Sequence, residues 1–95
     1  MAKERDKQCI VDVLGKPYLV EYKTNYESNN KMGFTSVPDQ RITVNKTIGA
    51  QQKDDTLLHE VLHVIDIELA LGFTEETIRR LAVGLTSAGC RCKKR

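Results

Sequence analysis

The sequence is poor in the side chains that build disulfide frameworks and aromatic binding surfaces. It has no tryptophan, three tyrosines, two phenylalanines and three cysteines, which cannot all pair within one chain. An odd number of cysteines argues against a disulfide-stabilised secreted domain. No apolar run reaches the roughly 18 residues that a membrane-spanning helix requires. We therefore expect a protein that makes no membrane contact.

A strong charge of either sign is also lacking. The 15 basic and 13 acidic residues leave a net charge of +2, which gives no electrostatic basis for nucleic-acid binding. The charged beginning of the chain (MAKERDKQ) contains no apolar stretch of a signal peptide, so a cytoplasmic location is expected. Ninety-five residues suffice for one domain with one core. Flexible tails are predicted at residues 1–8 and 90–95.

The first half of the chain is patterned as β-strands separated by turns. Gly15-Lys16-Pro17 supplies turn chemistry between two β-rich segments, which predicts a hairpin. A polar, asparagine-rich stretch over 24–31 is typical of a loop. The predicted strands cover residues 9–14, 18–23, 32–37 and 41–44.

From about Ala50 the spacing of apolar residues changes to the period of a helix. Gly72 is expected to mark the end of this helix, because glycine readily adopts the left-handed conformation found there. Thr74 is the predicted N-cap of a second helix that ends near Gly89. Its inward face is predicted to hold Ile78, Leu81, Ala82 and Leu85. The pattern predicts an α+β fold, in which a small N-terminal antiparallel sheet precedes two helices.

Histidine is scarce, and both histidines of the chain lie in one short motif. Residues 59–63 read HEVLH, which is the H-E-x-x-H pattern of zinc peptidases. Positions i and i+4 lie on one face of a helix, so His59 and His63 can bind one Zn²⁺. Glu60 is the glutamate of this pattern, which acts in zinc peptidases as the general base that takes a proton from the attacking water. A chance motif on a solvated helix is disfavoured because leucine and valine flank it on most sides.

A zinc peptidase needs a third protein ligand and an open fourth position. A metzincin would have histidine at position 69, where this chain has Leu69. The remaining arrangement takes a glutamate from the following helix. Glu75 falls on the Ile78 side of that helix and Glu76 points away, which favours Glu75 as the ligand. An acidic first turn without any metal role is the alternative interpretation of this pair.

The position of Glu75 sets a geometric condition. A first helix that ran straight to Leu71 would leave Glu75 about 12 Å along the axis from the motif. The helix must therefore end earlier, or the two helices must cross steeply. Asp66 lies three residues after His63 on the same face, so it is the alternative third ligand, or an acceptor that orients an imidazole.

Several segments together carry a family resemblance. The stretch TLLHEVLHVID, followed by TEETIRRLAVGL, resembles the small phage- and prophage-encoded metallopeptidases, which are similar to minigluzincins and to the ImmA/IrrE-type peptidase domain. The preceding MGFTSVPDQRITVNKT looks like the strand pair before their active helix. The resemblance covers roughly residues 18–85, and only HEVLH is chemically specific within it.

The resemblance implies a minimal zincin-like domain that hydrolyses a protein or peptide in the cytoplasm of a bacterial host. It implies that His59, His63 and Glu75 bind Zn²⁺ and that Glu60 is the catalytic base. The chain departs from larger gluzincins because no histidine or tyrosine follows the motif to stabilise the oxyanion. This departure predicts slow turnover or a narrow choice of substrate.

Other interpretations remain open at this point. An extended substrate is predicted to pair with residues 40–44 as an edge strand, although these residues also fit an ordinary strand of the sheet. Cys90 and Cys92 belong either to a solvated tail or to a segment that places a thiolate at the open zinc position. A non-catalytic metal-binding or interaction module of a phage is the alternative function. A regulatory peptidase acting on one protein, such as a transcriptional repressor, is a third.

Overall fold

The computed structural model describes residues 8–24 and 32–95, in which a four-stranded sheet precedes two helices. The α+β class is therefore confirmed at this level. The elements are β1 (Gln8–Val13), β2 (Lys16–Lys23), β3 (Gly33–Ser36), β4 (Arg41–Asn45), α1 (Ala50–Leu69) and α2 (Glu75–Ser87). Residues 1–7 of the tail expected over 1–8, and most of the expected asparagine-rich loop, lie outside the described residues. Gln8, the last residue of that expected tail, belongs to β1.

The predicted hairpin is present, with β1 and β2 paired antiparallel from Val13 opposite Lys16. Its turn lies one residue earlier than expected, at Leu14 and Gly15, whose φ angles are 54° and 81°. A two-residue turn with both φ angles positive matches the twist of the flanking strands and favours glycine. Pro17 then lies inside β2.

The sheet is mixed, so the prediction of an antiparallel sheet is wrong for its middle. The strand order is β1-β2-β4-β3, with β2 and β4 parallel and β3 and β4 antiparallel. β3 lies at the outside of the sheet, and β4, which follows it in the chain, lies between β3 and β2. The strand at 40–44 is consequently internal, and the expectation that it forms the edge is also wrong. Among the described residues, β3 is the edge strand on this side.

The core lies between one face of the sheet and α1. Paired positions in neighbouring strands share a face, so one set of alternating residues faces the helix. The buried apolar set comprises Val11, Val13, Tyr18, Val20, Ile42, Val44, Leu57, Val61 and Val64. This packing fixes the rotation of α1 about its axis and therefore decides which of its polar side chains face away from the sheet.

α1 begins at Ala50 as predicted but ends at Leu69, before the expected stop at Gly72. Ala70 follows in the left-handed conformation, with φ 52°. Thr74 caps α2 as predicted, and its side chain accepts a hydrogen bond from the Thr77 backbone N–H. Among the described helices and strands, α2 packs on α1 alone, so its buried stripe is narrow. Ile78 and Ala82 are buried, Leu85 is partly buried, and Leu81 is exposed, contrary to expectation.

The segment 90–95 is not a free tail, so that expectation is wrong. Its end runs antiparallel to β1, where the Ile10 N–H donates to the Arg95 carbonyl at 3.1 Å and the Arg95 N–H to the Ile10 carbonyl at 2.8 Å. The Arg95 guanidinium also pairs with the Asp12 carboxylate at 2.8 Å. In the described part of the chain, no helix combines the length and apolarity needed to cross a membrane.

Candidate metal centre

His59 and His63 project side by side from α1. Their ring centroids are 4.9 Å apart and the ring planes are inclined by 57°. Leu57, Val61 and Val64 on the same helix are buried against the sheet, so the histidines take the flank that α2 approaches. The side chains of His59 and His63 are 19% and 28% exposed, so both are partly open to solvent.

Glu75 is the first residue of α2, and its carboxylate meets both imidazoles. Oε2 lies 2.8 Å from Nε2 of His59, and Oε1 lies 3.0 Å from Nε2 of His63. One ligand atom from each of the three residues falls within 4.8 Å of the others. The structure therefore brings together the three side chains that the sequence indicated as ligands.

Asp66 explains how Glu75 reaches the histidines. Its Oδ1 accepts a hydrogen bond from the Phe73 N–H at 3.0 Å, and its backbone carbonyl accepts one from the Leu71 N–H at 3.0 Å. These bonds turn the chain back immediately after α1 and start α2 beside the motif. The early end of α1 thus meets the geometric condition stated above. Asp66 belongs to this turn and not to the cluster of three donors.

Glu76 points away from the histidines, as the helical-face argument expected. Its carboxylate is bound by Arg79 at 2.6 Å and by Arg80 at 2.6 Å on the surface of α2. The hydrogen bonds from Arg79, and then from Arg80, lower the pKa of Glu76. The two neighbouring glutamates therefore have different partners.

Glu60 lies next to His59 in the chain but points towards β3. It is buried, with 9% of its surface exposed. Its Oε1 accepts a hydrogen bond from the Thr35 hydroxyl. Its Oε2 lies against Gly33, where an added Cβ would come within 3.0 Å of that oxygen. Sequence reasoning missed Gly33 and Thr35, because only the pairing register of β3 shows that they face α1.

The described tyrosines do not supply an oxyanion donor here. Tyr18 is fully buried in the core, and burial raises the pKa of its hydroxyl, with a further contribution from the charge of Glu68. Tyr22 accepts a hydrogen bond from Lys94 at 3.2 Å. Tyr26 lies outside the described residues.

The cysteines are also away from the cluster. Cys9 and Cys92 pack against the core, and burial raises the pKa of both thiols. Cys90 is exposed. In residues 8–24 and 32–95 no cysteine sulfur joins the three donors. The hypothesis of a tail thiolate at the metal position therefore has no support in this arrangement.

Two imidazole nitrogens and one carboxylate oxygen form the donor set of catalytic zinc sites with an open fourth position. Glu75 retains 65% of its side-chain exposure, so the cluster opens to solvent on its side. The residues present thus fit a zinc ion chemically. Comparison with protein families, with curated proteins and with solved structures found no match for this chain.

Proposed function

We propose that this protein is a zinc-dependent metallopeptidase of a minimal zincin-like type, in line with its resemblance to small phage-encoded peptidases. The observation that carries the proposal is the convergence of His59, His63 and Glu75, which come from two helices. Glu60 directly follows His59 in α1. Three possible ligands of the expected types in one place are more informative than the five-residue motif alone.

The roles follow from the side-chain chemistry. The two imidazoles and the Glu75 carboxylate would hold Zn²⁺, which supplies a Lewis acid that polarises a peptide carbonyl and acidifies water. Glu60 accepts the proton of the water whose oxygen bonds to the carbonyl carbon. As the carbon–nitrogen bond breaks, Glu60 returns this proton to the leaving amine. The products are a carboxylic acid and an amine, and Glu60 ends in its starting state.

The central experiment combines metal analysis with an assay for cleavage. We expect about one zinc per chain, and loss of stoichiometric zinc in the double variant His59→Ala, His63→Ala. Glu60→Gln should keep zinc and fold but lose hydrolysis, because an amide cannot accept the proton. Casein and candidate phage or host proteins are incubated with wild type or with Glu60→Gln. Mass spectrometry then detects any cleavage. Full zinc in the double variant would refute the site.

A non-catalytic metal-binding or interaction module is the second candidate. The observation that favours it is the absence, among the described tyrosines, of a hydroxyl at the cluster, since Tyr18 is in the core and Tyr22 binds Lys94. Loss of one oxyanion donor costs about 10²–10³ in rate. Zinc-loaded protein that cleaves nothing in a Glu60-dependent way would select this candidate. Cleavage of one protein only would instead select a regulatory peptidase.

A further inference from the structure

We propose that Thr35 and Gly33 of β3 are positioning residues for Glu60, so that the edge strand and not α1 fixes the orientation of the catalytic carboxylate. This inference rests on the proposed function. The Thr35 hydroxyl holds Oε1, and Gly33 leaves the space in which Oε2 lies. Proton transfer is accordingly assigned to Oε2, since Thr35 holds Oε1.

The pairing register places both residues on the correct face. Thr35 is opposite Ile42 and Gly33 is opposite Val44, and both partners are buried towards α1. Phe34 between them points to the other face and is 53% exposed. Side chains alternate along a strand, so only positions 33 and 35 of these three can meet the helix.

The contacts restrict Glu60 in two ways. A hydroxyl that donates to an ionised carboxylate forms a charge-assisted bond, which is stronger than one between neutral groups. A Cβ at position 33 would lie 3.0 Å from Oε2, 3.1 Å from Cγ of Glu60 and 2.7 Å from Cγ2 of Thr56. Glycine at this position therefore admits the observed rotamer of Glu60. A general base needs such a fixed orientation towards the proton that it takes.

The first test is a double-mutant cycle on the metal-free chain, which reports on the contact without any activity. Thr35→Val removes the hydroxyl and keeps the shape of the side chain. We expect Thr35→Val to lower the melting temperature by about 4 °C or more in the wild-type background, and by much less in Glu60→Ala. Equal effects in the two backgrounds would overturn the inference whatever the activity.

The second test measures zinc affinity, by competition with a chromophoric chelator, and the rate at which casein or a cleaved phage or host protein is hydrolysed. The zinc affinity of Thr35→Val should be within about twofold of that of wild type, and its KM should be unchanged. Its kcat should fall roughly ten- to a hundredfold. Thr35→Ser should restore the rate.

Thr43→Val is the matched control, since Thr43 pairs with Phe34 on the other face. An unchanged kcat in Thr35→Val would overturn the positioning role. Wild type without Glu60-dependent cleavage would instead refute the proposed function, which the cycle above does not depend on.

A third variant tests Gly33. Gly33→Ala combined with Thr56→Ser removes the threonine methyl that the new Cβ would meet, so the added carbon presses on Glu60 alone. We expect this double variant to bind zinc normally and to lose cleavage to a similar extent as Thr35→Val. Wild-type kcat in it would exclude Gly33 from the positioning role.

Discussion

At the scale of single residues, the proposed metal centre depends on which of two adjacent glutamates faces the histidines. Glu75 contacts both imidazoles, whereas Glu76 is held by Arg79 and Arg80. The difference is a rotation of about 100° between consecutive helical residues. A helix start beside the motif therefore presents one carboxylate to the two histidines and the next one to the arginines on the surface of α2.

Replacing each glutamate in turn tests this assignment. Glu75→Ala should weaken zinc binding at least about a hundredfold, because even the loss of a group that only supports a ligand costs about 10- to 100-fold. Glu76→Ala, the matched control, should leave zinc affinity unchanged and lose only two exposed ion pairs, which contribute little. Titration of the metal-free variants with zinc measures both. If Glu76→Ala bound zinc weakly and Glu75→Ala bound it as tightly as wild type, Glu76 would be the ligand instead.

At the scale of elements, the connection between α1 and α2 determines where the third donor lies. The Asp66 carboxylate is bonded to the Phe73 N–H, two residues before Glu75. The Thr74 cap then starts α2 immediately. Glu75 thus reaches the histidines through a short turn that depends on one side-chain acceptor.

We expect Asp66→Ala to weaken zinc binding by about tenfold, because the turn loses its acceptor and Glu75 is less well placed. Asp66→Asn keeps an oxygen at the same position and should restore most of the affinity. Glu68→Ala is the control, since Glu68 lies close by on α1 but pairs with Lys16. The measurement is the dissociation constant for zinc of wild type and of each of these variants. Equal affinity in wild type and Asp66→Ala would show that the turn holds its shape without this bond.

The elements also show how far the sequence could predict the structure. The hairpin, the start of α1 and the Thr74 cap depend on local chemistry, and each was predicted. The parallel pairing of β2 and β4 depends on contacts between distant segments, which alternation within a strand does not encode. The left-handed residue after α1 is Ala70 and not a glycine, so the end of the helix carried no usual signal.

The same division applies to the candidate site. His59, Glu60 and His63 are visible as a motif, and helical geometry separates Glu75 from Glu76. Thr35 could not be found, because its role depends on the register of an edge strand that forms only in the folded chain. The sequence thus predicts the chemistry of the cluster, whereas the side chains that orient it follow from tertiary structure.

At the scale of the whole molecule, a metal that bridges α1 and α2 should contribute to stability. Of the elements in residues 8–24 and 32–95, α2 contacts only α1, so the donors from the two helices add a link across that interface. Binding to the folded state only stabilises it by about 2.7 kcal/mol at a hundred times the dissociation constant, which corresponds to a rise of about 10–20 °C in melting temperature. A chelator should abolish this rise in wild type and have no effect on the double variant His59→Ala, His63→Ala. Identical melting curves of wild type with and without zinc would contradict the prediction.

The segment 90–95 offers a separate test of the whole fold, because it joins the end of the described chain to β1. The hydrogen bond from Arg95 lowers the pKa of Asp12. A carboxyl group whose pKa is lower in the docked state favours docking when ionised. The contribution of this pair to docking is therefore fully present above the ordinary pKa of aspartate, about 3.9, and is lost as the pH falls through the lowered value.

Hydrogen exchange at the Ile10 and Arg95 amides, which bond each other's carbonyls across this pair, measures the docking directly. In metal-free protein we expect their protection, corrected for intrinsic exchange, to be constant between about pH 5 and pH 7 and to fall as the pH drops below the ordinary pKa of aspartate, about 3.9. Asp12→Asn removes the charge and should show reduced protection throughout, with little further change in the acid range. Equal protection in wild type and in Asp12→Asn at pH 6 would show that the backbone bonds hold the segment without the Asp12 and Arg95 pair.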